Sequence, residues 1–298
     1  LGFNIFGKTN SAELGLAAIT KNDLYGETKN PLNPEYSCAG SSGGAAAAVA
    51  AGIVPIAHGT DGLGSLRTPS SVCGVVAMKP TRNSIIDGSH TPEGWGGLTT
   101  WNVISRTVRD SHTVFNRTAK YDAVEKKKLK IAYNFNPPAG HNPDPETIKA
   151  VEYAVEVLRS LGHTCEEKQF KYDYKSLSQS ISAVVGSHVA VNTQNSETID
   201  MGHYAKYVHR RGKEFTSADY INAVEHFTRI AHDMQNFLTE YDLYFQGANR
   251  KTSLRERLIE SVQLLEGTSP IVKKISGWRD FARNAYDTGK SLFFRKKL

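Results

Sequence analysis

Apolar and polar positions along the chain fall into short strand-like runs and longer stretches with helical spacing. Residues 45–51 read AAAAVAA between Gly44 and Gly52, a strong helix former because alanine loses no side-chain freedom in a helix. Residues 53–57 are a short apolar run containing Pro55 and read as a buried strand, and residues 75–78 as a second one, ended by Pro80. Residues 110–118 predict a modest helix and residues 129–133 a strand. Asp144-Pro145-Glu146 then opens a helix with proline at its first position. Ile148, Val151, Ala154, Val155 and Leu158 follow helical spacing until Gly162 stops it. Residues 163–167 start another strand, and the order strand, helix, strand implies an α/β layer arrangement.

Residues 218–238 predict a long helix with Ile221, Val224, Phe227, Ile230, Ala231, Met234 and Phe237 on one face, expected to be a core stripe. Residues 11–19 can start a short helix behind Asn10 or Ser11 as cap. Residues 25–36 carry glycine, asparagine and proline and read as loop. Residues 88–97 form a Gly/Pro/Trp loop suited to walling a pocket.

Composition changes this picture little. The 298 residues are 39% hydrophobic and 22% charged, enough for a sizeable core in one large or two smaller domains. The net charge of +6 gathers partly in Lys126-Lys127-Lys128 with Lys130 and in Arg295-Lys296-Lys297. No nucleic-acid-binding motif accompanies these runs, so they read as solvated surface and no nucleic-acid partner is expected. No stretch approaches the ~18 apolar residues of a membrane span, and LGFNIFGKTN lacks the features of a signal peptide. The three cysteines, Cys38, Cys73 and Cys165, make neither a disulfide framework nor a metal site, so a reduced, cytoplasmic setting is expected, with no cofactor and no metal.

The chemistry concentrates between Ser37 and Arg67. Ser41 lies in Gly40-Ser41-Ser42-Gly43-Gly44, and Ser65 in Gly62-Leu63-Gly64-Ser65-Leu66-Arg67. Glycine lets backbone N–H groups approach a ligand closely, so two such serine sites point to serine-based acyl transfer. These motifs occur in order with Gly7-Lys8-Thr9-Asn10 upstream. Gly59-Thr60-Asp61 runs through to Thr68-Pro69. Cys73-Gly74 leads to Lys79-Pro80-Thr81, and Ser105-Arg106-Thr107-Val108-Arg109-Asp110 follows. The set closely resembles the amidase signature family. The resemblance covers residues 3–119 well, continues more loosely through 129–167 and 212–245, and fades after Phe245.

The resemblance implies an α/β fold, a mixed sheet core flanked by helices, truncated at the N-terminus and atypical at the C-terminus. Residues 1–247 would form the incomplete core and residues 248–298 a basic, mainly helical tail. It also implies Ser65 as nucleophile and Ser41 as bridging serine after a cis peptide bond. Backbone N–H groups of Gly62, Leu63 and Gly64 would form an oxyanion hole, with Ser42, Asp61 and Arg67 in support. The family usually has glycine where Leu63 stands, so this side chain is expected to strain the loop and take room from substrate. The family's base is a lysine several tens of residues before the bridging serine, a position that would precede Leu1. Neither Lys8 nor Lys79 fits it, and a triad through His58 lacks motif spacing. The functional expectation is hydrolysis of a small-molecule carboxamide. Two alternatives stay open: a catalytically weak relative serving as scaffold, and an amidotransferase-type subunit. Trp95, Trp101 and Phe115 suggest a partly apolar pocket.

Overall fold

The structure is a computed structural model that describes residues 2–86, 94–120, 128–136, 143, 145–194, 201–248 and 261–265. The N-terminal part opens with two small hairpin-like pairs, β1 (Lys21–Asn22) with β2 (Gly26–Glu27) and β3 (Lys29–Asn30) with β4 (Asn33–Ser37). Instead of the helix expected over residues 11–19 there is only a short 3-10 turn, Glu13–Gly15, because Leu14 and Gly15 both take left-handed backbone angles. The alanine run forms α1 (Gly43–Ala50).

The strand expected at residues 53–57 begins later, as β5 (Ile56–Asp61), and Ile53 is 71% exposed. The reason is its partner. β5 pairs along its whole length, antiparallel, with β7 (Thr100–Ser105), and that register runs from Ile56 opposite Ser105 to Asp61 opposite Thr100. α2 (Arg67–Val72) and the two-residue β6 (Val76–Ala77), paired with the other edge of β7, complete this half. α1, α2 and this sheet enclose one core, in which Cys38, Ala46, Val49, Leu66, Cys73 and Ile104 are buried.

α3 (Val108–Thr118) explains the motif around Arg106. Thr107 caps the helix by accepting the Asp110 N–H and donating its hydroxyl to the Asp110 carboxylate. A second sheet follows. β8 (Lys130–Asn134) lies parallel to β9 (Thr164–Glu167) across α4 (Pro145–Ser160), the expected strand–helix–strand unit. Ile131, Val151, Val155 and Leu158 are buried together there.

Along the chain, between β9 and the strand that next joins this sheet, come three helices: α5 (Tyr174–Asn192), α6 (His203–Gly212) and α7 (Ser217–Phe237). The sequence pattern did not bring out α5, whose buried positions include Ala183, Val184, Val185, Gly186 and Val189. Small and β-branched residues carry little helical signal, and tertiary packing overrides their preference. α7 forms where expected but buries a different stripe. Ala223 is buried, Tyr220 and Phe227 pack with it against α5, and Met234 and Phe237 pack on Tyr241 and Tyr244. Ile221 and Val224 are 57% and 38% exposed, since α5 covers the neighbouring face.

β10 (Leu243–Ala248) joins the sheet parallel to β8, and β11 (Ser261–Leu265) pairs antiparallel with β10. For those five residues of the tail the helical expectation is replaced by a strand. The alternating Ser-Val-Gln-Leu pattern suits the free edge that β10 offers. The rest of residues 248–298 beyond Ala248 lies outside the described residues, as do Lys126, Lys127 and most of the 88–97 loop.

Candidate active site

The two serine segments meet through the backbone. The Ser42 N–H donates to the Ser65 carbonyl at 3.1 Å. The Ser42 hydroxyl bridges both polar groups of Thr60, accepting its N–H and donating to its carbonyl, each at 3.2 Å. The turn before α1 is thereby fastened to the end of β5 and to the loop that follows it.

Ser41 is buried, and the peptide bond Gly40–Ser41 is cis, as the motif implied. Its carbonyl accepts two hydrogen bonds, from the Ala12 N–H at 3.1 Å and from the Thr20 hydroxyl at 3.2 Å. Thr20 also accepts the Gly43 N–H at 3.0 Å and is fully buried. Nothing in the sequence marks Thr20: it is a lone threonine 21 positions upstream, and only folding makes it a clamp on Ser41. Asn10 of the upstream motif acts similarly, its carbonyl accepting the Gly44 N–H at 3.1 Å.

Asp61 organises the second loop. Its fully buried carboxylate accepts the Gly64 N–H at 2.7 Å and the N–H groups of Leu66 and Arg67 at 3.2 Å. Arg67 adds two side-chain hydrogen bonds, Nε to Oδ2 at 2.9 Å and Nη2 to Oδ1 at 3.0 Å. Burial alone pushes a carboxyl pKa up. Here the hydrogen bonds and charge of Arg67, with the loop N–H groups, outweigh it and hold Asp61 below its ordinary value.

Among the expected oxyanion donors, Gly64 has a partner inside the loop. The Gly64 N–H is already committed to Asp61, so it braces the loop. Gly64 itself sits at φ 117°, where a side chain is strained. Leu63 does not occupy a positive φ, so a leucine fits this position without the backbone strain expected of it. Its side chain is 44% exposed at the loop surface.

Of the aromatic candidates, Trp95 lies against the Ser65 loop. A Cβ on Gly62 would lie 2.8 Å from its Cε3. Trp101 instead packs against His58, ring centroids 5.7 Å apart, where β5 pairs with β7. Phe115 sits on α3. Cys38 and Cys73 are buried, and burial pushes their thiols up to about 11 and about 12, away from the thiolate form. Lys8 is exposed and Lys79 half-buried.

The Amidase family model matches residues 1–261. The chain belongs to the amidase family. A lipoamidase of Enterococcus faecalis is 33% identical over 254 residues, 81% of this chain and 35% of that protein. A 6-aminohexanoate-cyclic-dimer hydrolase of Paenarthrobacter ureafaciens is 34% identical over 205 residues, 59% of this chain and 42% of that protein. The chain therefore spans well under half the length of these two relatives. The solved structure of 6-aminohexanoate cyclic dimer hydrolase complexed with substrate matches with TM-score 0.76 at 25% identity, covering 90% of this chain and 62% of that one. A bacterial aryl acylamidase of the amidase signature family shares the fold at TM-score 0.79 and 20% identity, over 98% of this chain and 75% of that one. The fold is mixed α/β, as in these structures. Among the described residues no helix is long and apolar enough to cross a membrane.

Proposed function

We propose that this amidase hydrolyses a carboxamide through an acyl-enzyme on Ser65, with Ser41 as the bridging serine. The observation that carries the reading is the joint between the serine loops. The Ser42 N–H on the Ser65 carbonyl holds the residue after Ser41 against the residue expected to react.

A serine hydroxyl is a weak nucleophile at neutral pH and needs a base. In the proposed reaction the Ser65 oxygen attacks the amide carbon while its proton passes to the Ser41 oxygen. The Ser41 proton moves on to a base, which the family resemblance gives as a lysine. The C–N bond then breaks and the amine leaves with a proton. Water hydrolyses the acyl-enzyme by the same route in reverse. The N–H groups of Gly62, Leu63 and Ser65 are the donors proposed for the oxyanion, since Gly64 donates to Asp61.

Treatment with a serine-directed fluorophosphonate followed by peptide mass spectrometry tests the assignment. The expected adduct is on Ser65 and is absent in Ser65→Ala. An adduct on Ser41 or Ser42 with Ser65 free, or no adduct at all, rejects it.

A further inference from the structure

We infer that Trp95 is a specificity-determining residue of this site, a fixed apolar wall that selects amides with an extended apolar acyl group. The inference rests on the Ser65 reading for where the reacting carbonyl sits. The wall itself follows from geometry.

One indole lies against the Ser65 loop and faces the Gly15 turn beside Ser41. A Cβ on Gly62 would lie 2.8 Å from Trp95 Cε3 and 3.0 Å from Cζ3. A Cβ on Gly15 would lie 4.0 Å from Trp95 Cζ2 and 3.7 Å from Ser41 Oγ. The six-membered ring thus runs from the start of the Ser65 loop toward the turn that borders the Ser41 hydroxyl. Trp95 is half-buried, so it is not sealed into the core.

The ring is also held. Trp95 stands at φ 52° and ψ 48°, an uncommon left-handed conformation for an aromatic residue, and Gly96 and Gly97 continue it at φ 62° and 88°. Such a backbone persists only when its surroundings over-determine it. The helical layer supplies that support. Trp95 packs on the cluster of Val184 and Ala223, and a Cβ on Gly96 would meet the Tyr220 hydroxyl at 2.9 Å. The Tyr220 hydroxyl is fixed in turn by His188 Nε2 at 3.1 Å. Tyr220 is therefore a positioning residue, acting on substrate only through Trp95.

A flat apolar surface this near the serines favours methylene groups. Each methylene removed from water is worth about fourfold in affinity when fully covered. The test uses the full chain in the Ser65→Ala background, so that binding is read without turnover. Octanamide and butanamide are titrated, and the ratio of their dissociation constants is the readout. Octanamide should bind at least about tenfold tighter, and Trp95→Ala should remove most of that preference. Trp95→Phe keeps an aromatic ring on the helical layer but cannot reach from Gly62 to the Gly15 turn, so it should lose part of the preference even if Trp95→Ala fails to fold. Tyr220→Phe should lower the ratio in the same direction. A ratio near one in the parent, or one that survives both Trp95 substitutions, overturns the wall. Its failure is distinct from that of the nucleophile assignment. Labelling at another serine with the ratio still dependent on Trp95 rejects Ser65 and keeps the wall. Labelling at Ser65 with a Trp95-independent ratio does the opposite.

Discussion

Asp61 and Arg67 form a two-point ion pair inside the serine loop, Nε to Oδ2 at 2.9 Å and Nη2 to Oδ1 at 3.0 Å. The carboxylate is fully buried and the guanidinium largely so. Removing one partner of a buried pair strands the other, at a cost of about 3 kcal/mol. Asp61→Asn should lower stability by that order in denaturant unfolding. Arg67→Lys, which keeps the charge but loses the fork, should cost less. Because the folded pKa of Asp61 is depressed, its contribution is present above the unfolded carboxylate pKa of about 3.9 and disappears as pH falls through the lower folded value. The gap between parent and Asp61→Asn should therefore begin to narrow below about pH 4 and keep narrowing as pH falls further; a gap that does not narrow with falling pH counts against the pair as its source.

Ser41 and Ser42 should respond differently to alanine. Ser41→Ala removes the proposed proton bridge and should slow phosphonate labelling of Ser65 by about 10²–10⁴-fold, with little change in unfolding. Ser42→Ala loses two hydrogen bonds to Thr60 and should instead destabilise by about 1–3 kcal/mol. Equal labelling losses in both variants, matched by equal losses of stability, would assign Ser41 a structural role.

Leu63→Gly should leave kcat unchanged. The leucine is not at a positive φ, so glycine relieves no strain and only widens the unfolded ensemble. The expected stability loss is about 0.5–1 kcal/mol, with any effect on turnover confined to KM through the exposed side chain. A rise in kcat would show that leucine impairs the oxyanion donors.

Thr20→Val tests the clamp on Ser41. Valine matches threonine in shape but strands the Ser41 carbonyl's second bond and the Gly43 N–H in a fully buried place. A loss of about 2–3 kcal/mol is expected, together with slower labelling of Ser65. Thr20→Ser, which keeps the hydroxyl, should restore most of the labelling rate. Failure of serine to do so would locate the effect in the lost methyl group.

Below about pH 6.5 the fold should weaken through His163 as well. Its Nδ1 accepts the Leu129 N–H at 3.1 Å, which requires that nitrogen to be unprotonated. Burial and then the Lys128 charge hold its pKa below the ordinary histidine value. A depressed histidine binds protons more readily unfolded, so its contribution is present above the unfolded pKa and lost as pH falls through the folded one. His163→Asn can accept the same bond without titrating and should flatten the slope of thermal midpoint against pH below about 6.5. An unchanged slope would assign the titration elsewhere.

The serine loops, the strand–helix–strand unit and most helix positions were legible in the sequence because local chemistry fixes them. An alanine run between glycines, a proline at the first helical position and Gly-Ser motifs in order need no distant partner. The cis Gly40–Ser41 bond followed from the motif. Where partners decide, local pattern failed. β5 takes its ends from β7 rather than from its own apolar run. α7 exposes Ile221 and Val224 because α5 chose the adjacent face.

The site divides the same way. Sequence alone marked Ser41, Ser65, Asp61 and Arg67, since each stands in a short motif. The tertiary structure gave the Gly64 N–H to Asp61, showed that Leu63 needs no left-handed backbone, and brought Thr20 under Ser41. It also set Trp95 between Gly62 of the Ser65 loop and the Gly15 turn beside Ser41. A hydrogen bond or ring contact between residues tens of positions apart depends on where the chain returns in space, and a local pattern carries no record of that return.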